Sequence, residues 1–490
     1  MAKELDKFKA FEAYQEVEND GQNCIPIRWV VTKQPENGKG QPVKARLCMR
    51  GDLEKGKNLV RSDSPTASKD TLKLALLTAA NEGFSVKSVD IKSAYLQGLD
   101  LDRDIFVKPP EEARTDKIWR LRKAAYGILD GGRLFYLKLQ DELKKLGLHE
   151  VHSEGAIFSY VINGKLHGLI VSHVDDLLMA GDEIFSKDVE ENLAKVFKFS
   201  KIEVDSFNYC GCRIKRLECG SIVMDQHEYV DSLELIEEKK DELDRKLTVY
   251  EQKVLRGKIG EVLWISLMTR PDLAFDVNKI ASKVPDATVK TLLDMNQIVR
   301  KAKSKRNILK FSRLGPVTDL VVKVYTDASF KNRDNQIRST EGRVILIENP
   351  STGKSGVLAW KTKKIPRVCR SVKSAETRAL DNGLDEAVHI ARMFKEVYNG
   401  YISLKSPDQI EVVAKIDSKS LWENLHNTRQ CEEKMLRSTI AGIKELMQYG
   451  IVQSVDWVAT DKQLADCLTK KGSASKSNWL LRVAETNLLN

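Results

Sequence analysis

Two adjacent carboxylates, Asp175 and Asp176, interrupt a segment of the chain that is otherwise apolar. Leu166–Val174 and Leu177–Ala180, on either side, have the composition of strands. Two acids at a turn are usually solvated, but strands this apolar belong in a core layer, where adjacent like charges are costly unless a counter-charge neutralises them. The segment therefore predicts a β-hairpin in the core whose acidic tip lies at a divalent-metal site.

A third carboxylate, Asp90, follows the predicted strand Phe84–Val89. Carboxylates at the ends of adjacent strands can hold two Mg²⁺ ions about 4 Å apart. One ion activates an attacking 3′-hydroxyl group, and both stabilise a phosphoryl-transfer transition state. The ligand atoms are hard oxygens, which suit Mg²⁺, with Mn²⁺ as a substitute, rather than zinc.

Composition limits the kind of protein. The chain has 490 residues, of which 42% are hydrophobic, so it can form roughly three compact domains with real cores. The formal charge of +10 favours a polyanionic partner over an acidic small molecule, although a merely basic protein remains an alternative. The eight cysteines show no paired metal-site spacing and are expected to be reduced thiols. The N-terminus lacks a signal peptide, and no apolar run is long enough for a membrane span, so an intracellular protein is expected.

Periodicity predicts the secondary structure of the first half. Lys69–Asn81 and Arg133–Leu146 are predicted as helices among strand-like segments, an α+β mixture around one sheet. Asp231–Lys246 is predicted as a highly charged, exposed helix. Further helices are predicted in Lys253–Met268, Asp272–Lys283 and Thr291–Ala302.

A second α/β unit is predicted from Leu320 onwards, followed by a short tail. Its predicted strands are Val321–Thr326, Arg343–Ile347, Gly356–Lys361, Glu411–Ile416 and Val455–Val458. Its predicted helices are Ser374–Tyr398, Ser418–Asn424 and Glu433–Tyr449.

Four carboxylates of this second unit lie at the ends of predicted strands or near the starts of predicted helices. Asp327 and Asp417 each follow a strand, and Glu376 and Asp466 each lie near the start of a helix. This order brings carboxylates to one edge of a sheet, where they form a second candidate metal site. The alternative is that Glu376 and Asp466 are ordinary acids in the first turn of a helix, favoured by its macrodipole.

Several motifs resemble those of one family, the reverse transcriptases of Ty1/copia-type LTR retrotransposons. Val89–Gly98 (VDIKSAYLQG) and Val174–Asp176 (VDD) resemble its first and third palm motifs. Val43–Gly51, Arg120–Gly127 and Thr269–Leu273 match further segments in the family's order. With the second unit, the resemblance runs from about residue 25 to the C-terminal tail.

The resemblance implies a fingers-palm-thumb polymerase in which Asp90, Asp175 and Asp176 are the metal ligands. Tyr95 resembles the steric gate that excludes a ribose 2′-hydroxyl group, although a core aromatic side chain is the simpler alternative. Lys44 and Arg46 match basic fingers positions that would meet an incoming triphosphate, although two basic residues on a surface strand are common.

Two departures from the family's pattern concern nucleotide binding. His173 stands where the family usually has an aromatic residue, two positions before the paired acids. Leu129–Arg133 (LDGGR) replaces a segment that commonly reads KQAPR, so Asp130 stands where a glutamine helps to hold the nucleotide. A carboxylate there would repel a triphosphate unless metal or Arg133 intervened.

Asp327, Glu376, Asp417 and Asp466 occur in the order that resembles the ribonuclease H domain of the same elements. The resemblance implies two ions at each active site and four partners: an RNA template, a DNA primer, dNTPs and an RNA–DNA hybrid recognised by its shape and 2′-hydroxyl groups. It also implies a cytoplasmic particle or the nucleus as the location. A domesticated, catalytically weak or silent scaffold that binds RNA or hybrid is the alternative function.

The predicted domains are an N-terminal extension (1–22), a reverse transcriptase of fingers, palm and thumb (23–245), a helical connection (246–317), a ribonuclease H-like domain (318–472) and a tail (473–490). The sequence leaves open the oligomeric state and whether the chain is a polyprotein segment or a separate gene product.

Overall fold

The computed structural model describes residues 1–33, 43–237, 242–330, 338–400, 410–428, 431–471 and 474–489. In these residues, helices and strands are mixed, and the strands form four larger sheets and one two-stranded ribbon. The predicted α+β class is confirmed. Within the described ranges, no helix has both the length and the apolar composition needed to cross a lipid bilayer.

The first unit contains the predicted fingers and palm. Its elements are α1 (Ala2–Ala10), β1 (Tyr14–Val17), β2 (Cys24–Ile25), β3 (Ile27–Lys33), β4 (Val43–Met49), α2 (Lys69–Glu82), β5 (Ser85–Ile91), β6 (Phe106–Val107), β7 (Ile118–Leu121), α3 (Gly131–Lys145), β8 (His149–Glu150), β9 (Ile157–Ile162), β10 (Lys165–His173), β11 (Asp176–Gly181), α4 (Glu183–Phe185), α5 (Glu191–Val196) and β12 (Phe199–Val204). Strands β3 and β4 form the separate ribbon.

The palm is a six-stranded antiparallel sheet with the order β12-β5-β11-β10-β9-β8. Alternate residues of its strands enter two different cores, as the twofold period of a strand requires. Leu177 and Met179 pack against α3, α4 and α5, whereas Leu178 and Ala180 pack against α2. The apolar hairpin predicted around Asp175 and Asp176 is therefore the centre of a layered α/β structure.

Local signals fix the bounds of α2, which agrees with the predicted helix Lys69–Asn81 to within one residue. The Ser68 hydroxyl group accepts a hydrogen bond from the Thr71 amide (3.1 Å) and caps the N-terminus. Gly83 ends the helix with a φ of 76°, a left-handed conformation that glycine adopts without a Cβ clash.

The second unit links the palm to the C-terminal domain. Its elements are β13 (Ser206–Tyr209), β14 (Cys212–Arg216), β15 (Ile222–Asp225), α6 (His227–Ser232), α7 (Val249–Met268), α8 (Ala274–Ala281), α9 (Val289–Ser304) and β16 (Leu309–Phe311). Strand β16, from the predicted connection, completes the sheet that β13, β14 and β15 begin.

The predicted helix Asp231–Lys246 is wrong in the described residues, because α6 ends at Ser232 and residues 233–237 and 242–246 are not helical. Tertiary contacts override the helical tendency. The Asn296 side chain on α9 both accepts from the Ile236 amide and donates to its carbonyl oxygen, each at 2.8 Å. Leu233 and Ile236 are buried against the helices of this unit. Residues 238–241 lie outside the described residues.

The third unit is a five-stranded mixed sheet covered by helices. Its elements are β17 (Val321–Ser329), β18 (Thr340–Asn349), β19 (Lys354–Lys364), α10 (Val372–Asn399), β20 (Val412–Ile416), α11 (Lys419–His426), α12 (Arg437–Gln448), β21 (Ser454–Trp457) and α13 (Ala474–Thr486). The strand order is β19-β18-β17-β20-β21, with β17 parallel to β20. The predicted C-terminal tail contains α13, whose Leu480 and Val483 side chains are buried in the core.

This third unit packs directly on the palm, and one cluster of buried hydrophobic residues continues from α2 and the palm sheet into the sheet of β17 to β21. The Lys73 ammonium group of α2 lies 3.6 Å from the centroid of the Trp360 ring on β19 and donates to the Leu267 carbonyl oxygen (3.0 Å). Trp360 Nε1 donates to the Ser266 carbonyl oxygen (2.7 Å). These four residues, here called the palm joint, tie α2, α7 and β19 together.

Candidate metal centres

Asp90 and Asp176 face each other on neighbouring palm strands. Asp90 on β5 is the cross-strand partner of Asp176 on β11, so both side chains leave the same face of the sheet. Asp175 lies in the turn before β11, and its carbonyl oxygen accepts from the Ile91 amide (3.0 Å). Val174 has a φ of 60°, an unusual conformation for a β-branched residue, which turns the chain sharply at the acidic tip.

The electrostatics of this first centre favour a cation. Burial raises the pKa of Asp175, and the Asp90 carboxylate raises it further, whereas Arg46 and Lys44 oppose the shift. Burial likewise raises the pKa of Asp176, and the charges of Asp175 and Asp90 add to it. The Ser200 hydroxyl group on β12, which the sequence did not indicate, donates to Asp90 Oδ2. An all-oxygen, acidic donor set of this kind suits Mg²⁺ or Mn²⁺.

Aromatic and basic residues surround the acidic tip. Lys44 and Arg46 are alternate residues of β4, and both charges act on Asp175. The Arg46 guanidinium group lies 5.5 Å from the centroid of the Tyr126 ring, and this ring meets the Tyr95 ring edge-on at 5.2 Å. Burial raises the pKa of Tyr95, as does the charge of Asp175. The nucleotide-binding roles of Lys44, Arg46 and Tyr95 stay predictions. Tyr126 contacts Arg46 and Tyr95 and is therefore a further candidate for this site.

Asp130 is neutralised by Arg103, a partner that the sequence did not indicate. Arg103 donates to both Asp130 carboxylate oxygens (2.6 and 3.0 Å) and also binds Glu54. Asp130 is buried, and its charge therefore faces Arg103 rather than an open pocket. Arg133, the other candidate in this segment, pairs with Asp63 at 2.7 Å.

The second centre gathers three of the four predicted carboxylates. Oxygen atoms of Asp327, Glu376 and Asp417 lie within 4.8 Å of one another, the sole such acidic group in the described ranges. Asp327 lies towards the end of β17 and Asp417 directly follows β20, and these parallel neighbours end at the same edge of the sheet. Glu376 approaches from the first turns of α10.

Burial and mutual repulsion dominate this cluster. Burial raises the pKa of Asp327, and Asp417 and Asp466 raise it further, against the opposing effects of Lys470 and a hydrogen bond from Thr469. Burial raises the pKa of Glu376 well above its usual value, with added effects of Asp327 and Asp417. Two buried carboxylates, Asp327 and Glu376, beside the half-buried Asp417 form an all-oxygen donor set that fits a divalent cation.

Asp466 lies outside this group, and two lysines bind it. Lys470 Nζ binds Asp466 Oδ1, and Lys476 Nζ of α13 lies 2.8 Å from Asp466 Oδ2. Lys470 Nζ also lies 3.5 Å from Asp327 Oδ1. Burial would lower the pKa of Lys470, but Asp327 and Asp466 outweigh it, and the pKa is raised. The spacing of four residues between Asp466 and Lys470 was the available sequence signal for this contact.

Gln463 positions the strand ends beneath the cluster. Its fully buried side-chain amide donates to the carbonyl oxygens of Thr326 (3.0 Å) and Lys415 (3.3 Å), which precede Asp327 and Asp417 by one and two residues. Its side-chain oxygen accepts from the Ala465 amide (3.2 Å), next to Asp466. One side chain therefore fixes the backbone at three of the four carboxylates.

The described residues have the fold of a fingers-palm-thumb polymerase followed by an α/β ribonuclease H-like domain, and each part carries one of the two acidic groups. Residues 11–245 match the family model described as "Reverse transcriptase (RNA-dependent DNA polymerase)". This match covers just under half of the chain, and the resemblance to Ty1/copia-type Pol polyproteins predicted from the motifs is confirmed.

Curated relatives extend the similarity beyond the polymerase. The chain is 26% identical over 474 residues to "Retrovirus-related Pol polyprotein from transposon RE1" of Arabidopsis thaliana, covering 91% of this chain and 30% of that protein. It is 24% identical over 480 residues to "Transposon Ty1-ER2 Gag-Pol polyprotein" of Saccharomyces cerevisiae, covering 87% of this chain and 25% of that protein. The chain thus spans less than a third of these relatives' length.

A solved structure has the same overall fold. It is titled "Structure of the foamy viral protease-reverse transcriptase dRH in complex with ds DNA" and superposes with a TM-score of 0.53 at 13% identity, covering 93% of this chain and 68% of that chain. The fingers-palm-thumb architecture predicted for the first units is confirmed by this likeness of fold.

Proposed function

We propose that this protein is an RNA- and DNA-templated DNA polymerase that also hydrolyses the RNA strand of RNA–DNA hybrids. The observation that supports the proposal is the cross-strand pairing of Asp90 with Asp176, together with Asp175 in the adjoining turn, whose charge acts on Asp176. The second acidic cluster, in a separate sheet of the same chain, supports the hydrolytic activity.

Different residues of the first centre would serve different parts of the polymerase reaction. Asp90, Asp175 and Asp176 would hold divalent ions, which supply an activated 3′-hydroxyl nucleophile and charge for the transition state when bound. Lys44 and Arg46 would contact the triphosphate as cations. Tyr95, whose ring meets the Tyr126 ring edge-on, would exclude a ribose 2′-hydroxyl group by steric contact.

Asp327, Glu376, Asp417 and Asp466 would hold the cations for RNA hydrolysis, with recognition resting on hybrid shape and 2′-hydroxyl groups. The partners that follow are an RNA template, a DNA primer, dNTPs and the hybrid product. The net charge of +10 is consistent with such polyanionic partners. A cytoplasmic particle or the nucleus, where template and primer occur, is the proposed location.

Replacement of the acidic tip tests the polymerase. With Mg²⁺ or Mn²⁺, the wild-type protein should extend a DNA primer on an RNA template, and the double variant Asp175→Asn/Asp176→Asn should lose extension by at least ~100-fold because the cation ligands are gone. The matched control, Glu183→Gln/Glu191→Gln, removes two charges from exposed palm positions and should retain extension. Normal extension by the Asp175→Asn/Asp176→Asn protein would refute the site.

Replacement of Asp327 tests the hydrolytic site separately. Asp327→Asn should abolish cleavage of the RNA strand in a labelled hybrid while primer extension continues, because the two acidic centres lie in different sheets. Cleavage by the variant at the wild-type rate would reject the assignment, and simultaneous loss of extension would show that the centres are not independent.

A further inference from the structure

The carboxylates of the ribonuclease H-like site divide into two groups. Asp327, Glu376 and Asp417 bring their oxygens within 4.8 Å of one another, and Asp466 does not join this group. A cation bound by the three-carboxylate group would have oxygen ligands from β17, β20 and α10. Asp466 lies on the short helix Leu464–Leu468.

Lysines already occupy both oxygens of Asp466. Lys470 binds Oδ1, and Lys476 binds Oδ2 at 2.8 Å. The two lysines differ in their freedom to move. The Lys476 side chain is 16% exposed and also donates to the Thr460 carbonyl oxygen (2.6 Å), whereas the Lys470 side chain is 42% exposed and can turn into solvent.

Lys470 stands between the two groups of carboxylates, because its ammonium nitrogen also lies 3.5 Å from Asp327 Oδ1. This position between Asp466 and Asp327 is where a second divalent ion would need to bind to share Asp327. A lysine carries one positive charge at neutral pH, so it neutralises part of the acidic site and repels a divalent ion placed beside it.

We infer that Lys470 is a built-in counter-cation of this site: one divalent ion binds readily at Asp327, Glu376 and Asp417, and a second binds only by displacing Lys470 from Asp466. The inference rests on the proposed ribonuclease H function of these carboxylates. It assigns Lys470 a positioning role, in which it sets the order and the strength of cation binding.

Direct measurement of Mn²⁺ binding tests the inference. The 490-residue Asp175→Asn/Asp176→Asn protein serves as the parent, so that the polymerase centre contributes little binding. Electron paramagnetic resonance of free Mn²⁺ gives the stepwise dissociation constants. We expect a strong first site and a weaker second site in the parent. Adding Lys470→Gln should strengthen the second site by about tenfold or more, because a repelling charge within a few ångströms is removed.

Two controls separate a local effect from a loss of surface charge. Lys470→Arg keeps the positive charge and should bind the second ion as weakly as the parent does. Lys471→Gln removes a neighbouring exposed charge and should also resemble the parent. Equal second-site constants for Lys470→Gln and Lys471→Gln would overturn the inference. Two sites of equal strength in the parent would overturn it as well, whether or not any Lys470 variant folds.

Failure of the inference can be told from failure of the proposed function. Adding Asp327→Asn to the parent should remove the strong first site, and persistence of that site would reject the carboxylate centre itself. If hybrid cleavage requires Asp327 while Lys470→Gln leaves both Mn²⁺ constants unchanged, the ribonuclease proposal stands and the counter-cation inference is rejected.

Discussion

Asp130 and Glu54 share one arginine, and each would be a poorly solvated, unpaired charge without it. The Arg103 guanidinium group reaches both carboxylates across the fingers, and the Asp130 and Glu54 side chains are only 8% and 9% exposed. Truncating one member of such a group leaves its partners charged in a low-dielectric environment, which costs more than the ion pair itself contributes.

Arg103→Met should therefore lower the free energy of unfolding by about 2 kcal/mol, somewhat less than a fully buried pair would cost because Arg103 is partly exposed. The double variant Arg103→Met/Asp130→Asn should recover part of the loss, since one stranded charge is removed. Urea unfolding of the three proteins measures both effects.

Arg120→Met is the matched control. Arg120 also pairs with an aspartate in the fingers, Asp104, but the two side chains are 50% and 59% exposed. The expected change is about 0.5 kcal/mol or less, as for most surface ion pairs. Equal losses for Arg103→Met and Arg120→Met would contradict the role assigned to Arg103.

At this scale the sequence predicted acidic ligands better than their neutralising partners. Asp90, Asp175 and Asp176 stand out because each interrupts or ends an apolar strand. Arg103 lies 27 residues from Asp130 with no periodic relation to it, so nothing in the local pattern indicates the contact. The sequence therefore predicts that Asp130 repels a triphosphate, whereas in the structure Arg103 pairs with this carboxylate.

The element that brings Glu376 to Asp327 is α10, and a glycine sets its distance from β17. A Cβ atom at Gly383 would lie 2.4 Å from Thr326 Cγ2, far inside van der Waals contact. Thr326 directly precedes Asp327, so any shift of α10 away from β17 changes the separation of the two carboxylates. Gly383 therefore acts on the cluster two turns away from Glu376.

Gly383→Ala should weaken Mn²⁺ binding at the second centre and reduce hybrid cleavage by roughly tenfold, because carboxylate geometry is sensitive to small displacements. Primer extension should be unchanged. Gly442→Ala, at a half-buried position of α12 where the added Cβ would meet no other atom within 4 Å, provides the control. It should leave cleavage intact and stabilise the helix by about 0.5 to 1 kcal/mol. Unaltered cleavage by Gly383→Ala would show that the close contact is not required.

Elements were predictable where local signals and burial agreed. Lys69–Asn81 combines a serine cap, a buried face and a terminal glycine, and its observed bounds differ by one residue. The prediction of a helix over Asp231–Lys246 depends on charge density alone. The hydrogen bonds from the Asn296 side chain to the Ile236 backbone, 60 residues away, hold part of this segment in a non-helical conformation. Helix α13 was missed because its apolar residues were assigned to a tail.

The whole molecule is tied together at the palm joint, where a lysine is buried against an indole ring. Lys73 is 0% exposed and Trp360 is 1% exposed. Burial lowers the pKa of Lys73 to about 7, against the opposing charge of Asp70. Unfolding exposes the lysine to water, where its pKa returns to about 10.5, so the joint links stability to pH.

Between about pH 7 and pH 10, the unfolded chain binds a proton at Lys73 that the folded chain does not. The free energy of unfolding should therefore rise with pH across this window, by up to ~1.4 kcal/mol per pH unit from this group. Lys73→Met should lack that contribution. Urea unfolding of both proteins at a series of pH values gives the difference in slope.

Lys253→Met serves as the control, since Lys253 is exposed on α7 and is solvated in both states. Its slope should equal that of the wild type. Parallel slopes for wild-type and Lys73→Met proteins would show that the buried amine keeps its proton at the joint.

Molecular organisation was the part least visible in the sequence. The order of fingers, palm and C-terminal sheet follows from the motifs, but Lys73 and Trp360 are 287 positions apart and belong to different predicted domains. Their contact depends on which surfaces of two folded units are complementary, and the periodicity of the sequence does not indicate which surfaces these are.

Because the palm and the C-terminal sheet share one apolar interior, neither candidate metal centre can move relative to the other without disrupting that interior. Under the proposed function, a strand copied at Asp175 and Asp176 would reach the second centre after a constant length of duplex. The cuts in the RNA strand should then lie at a constant distance behind the growing DNA end.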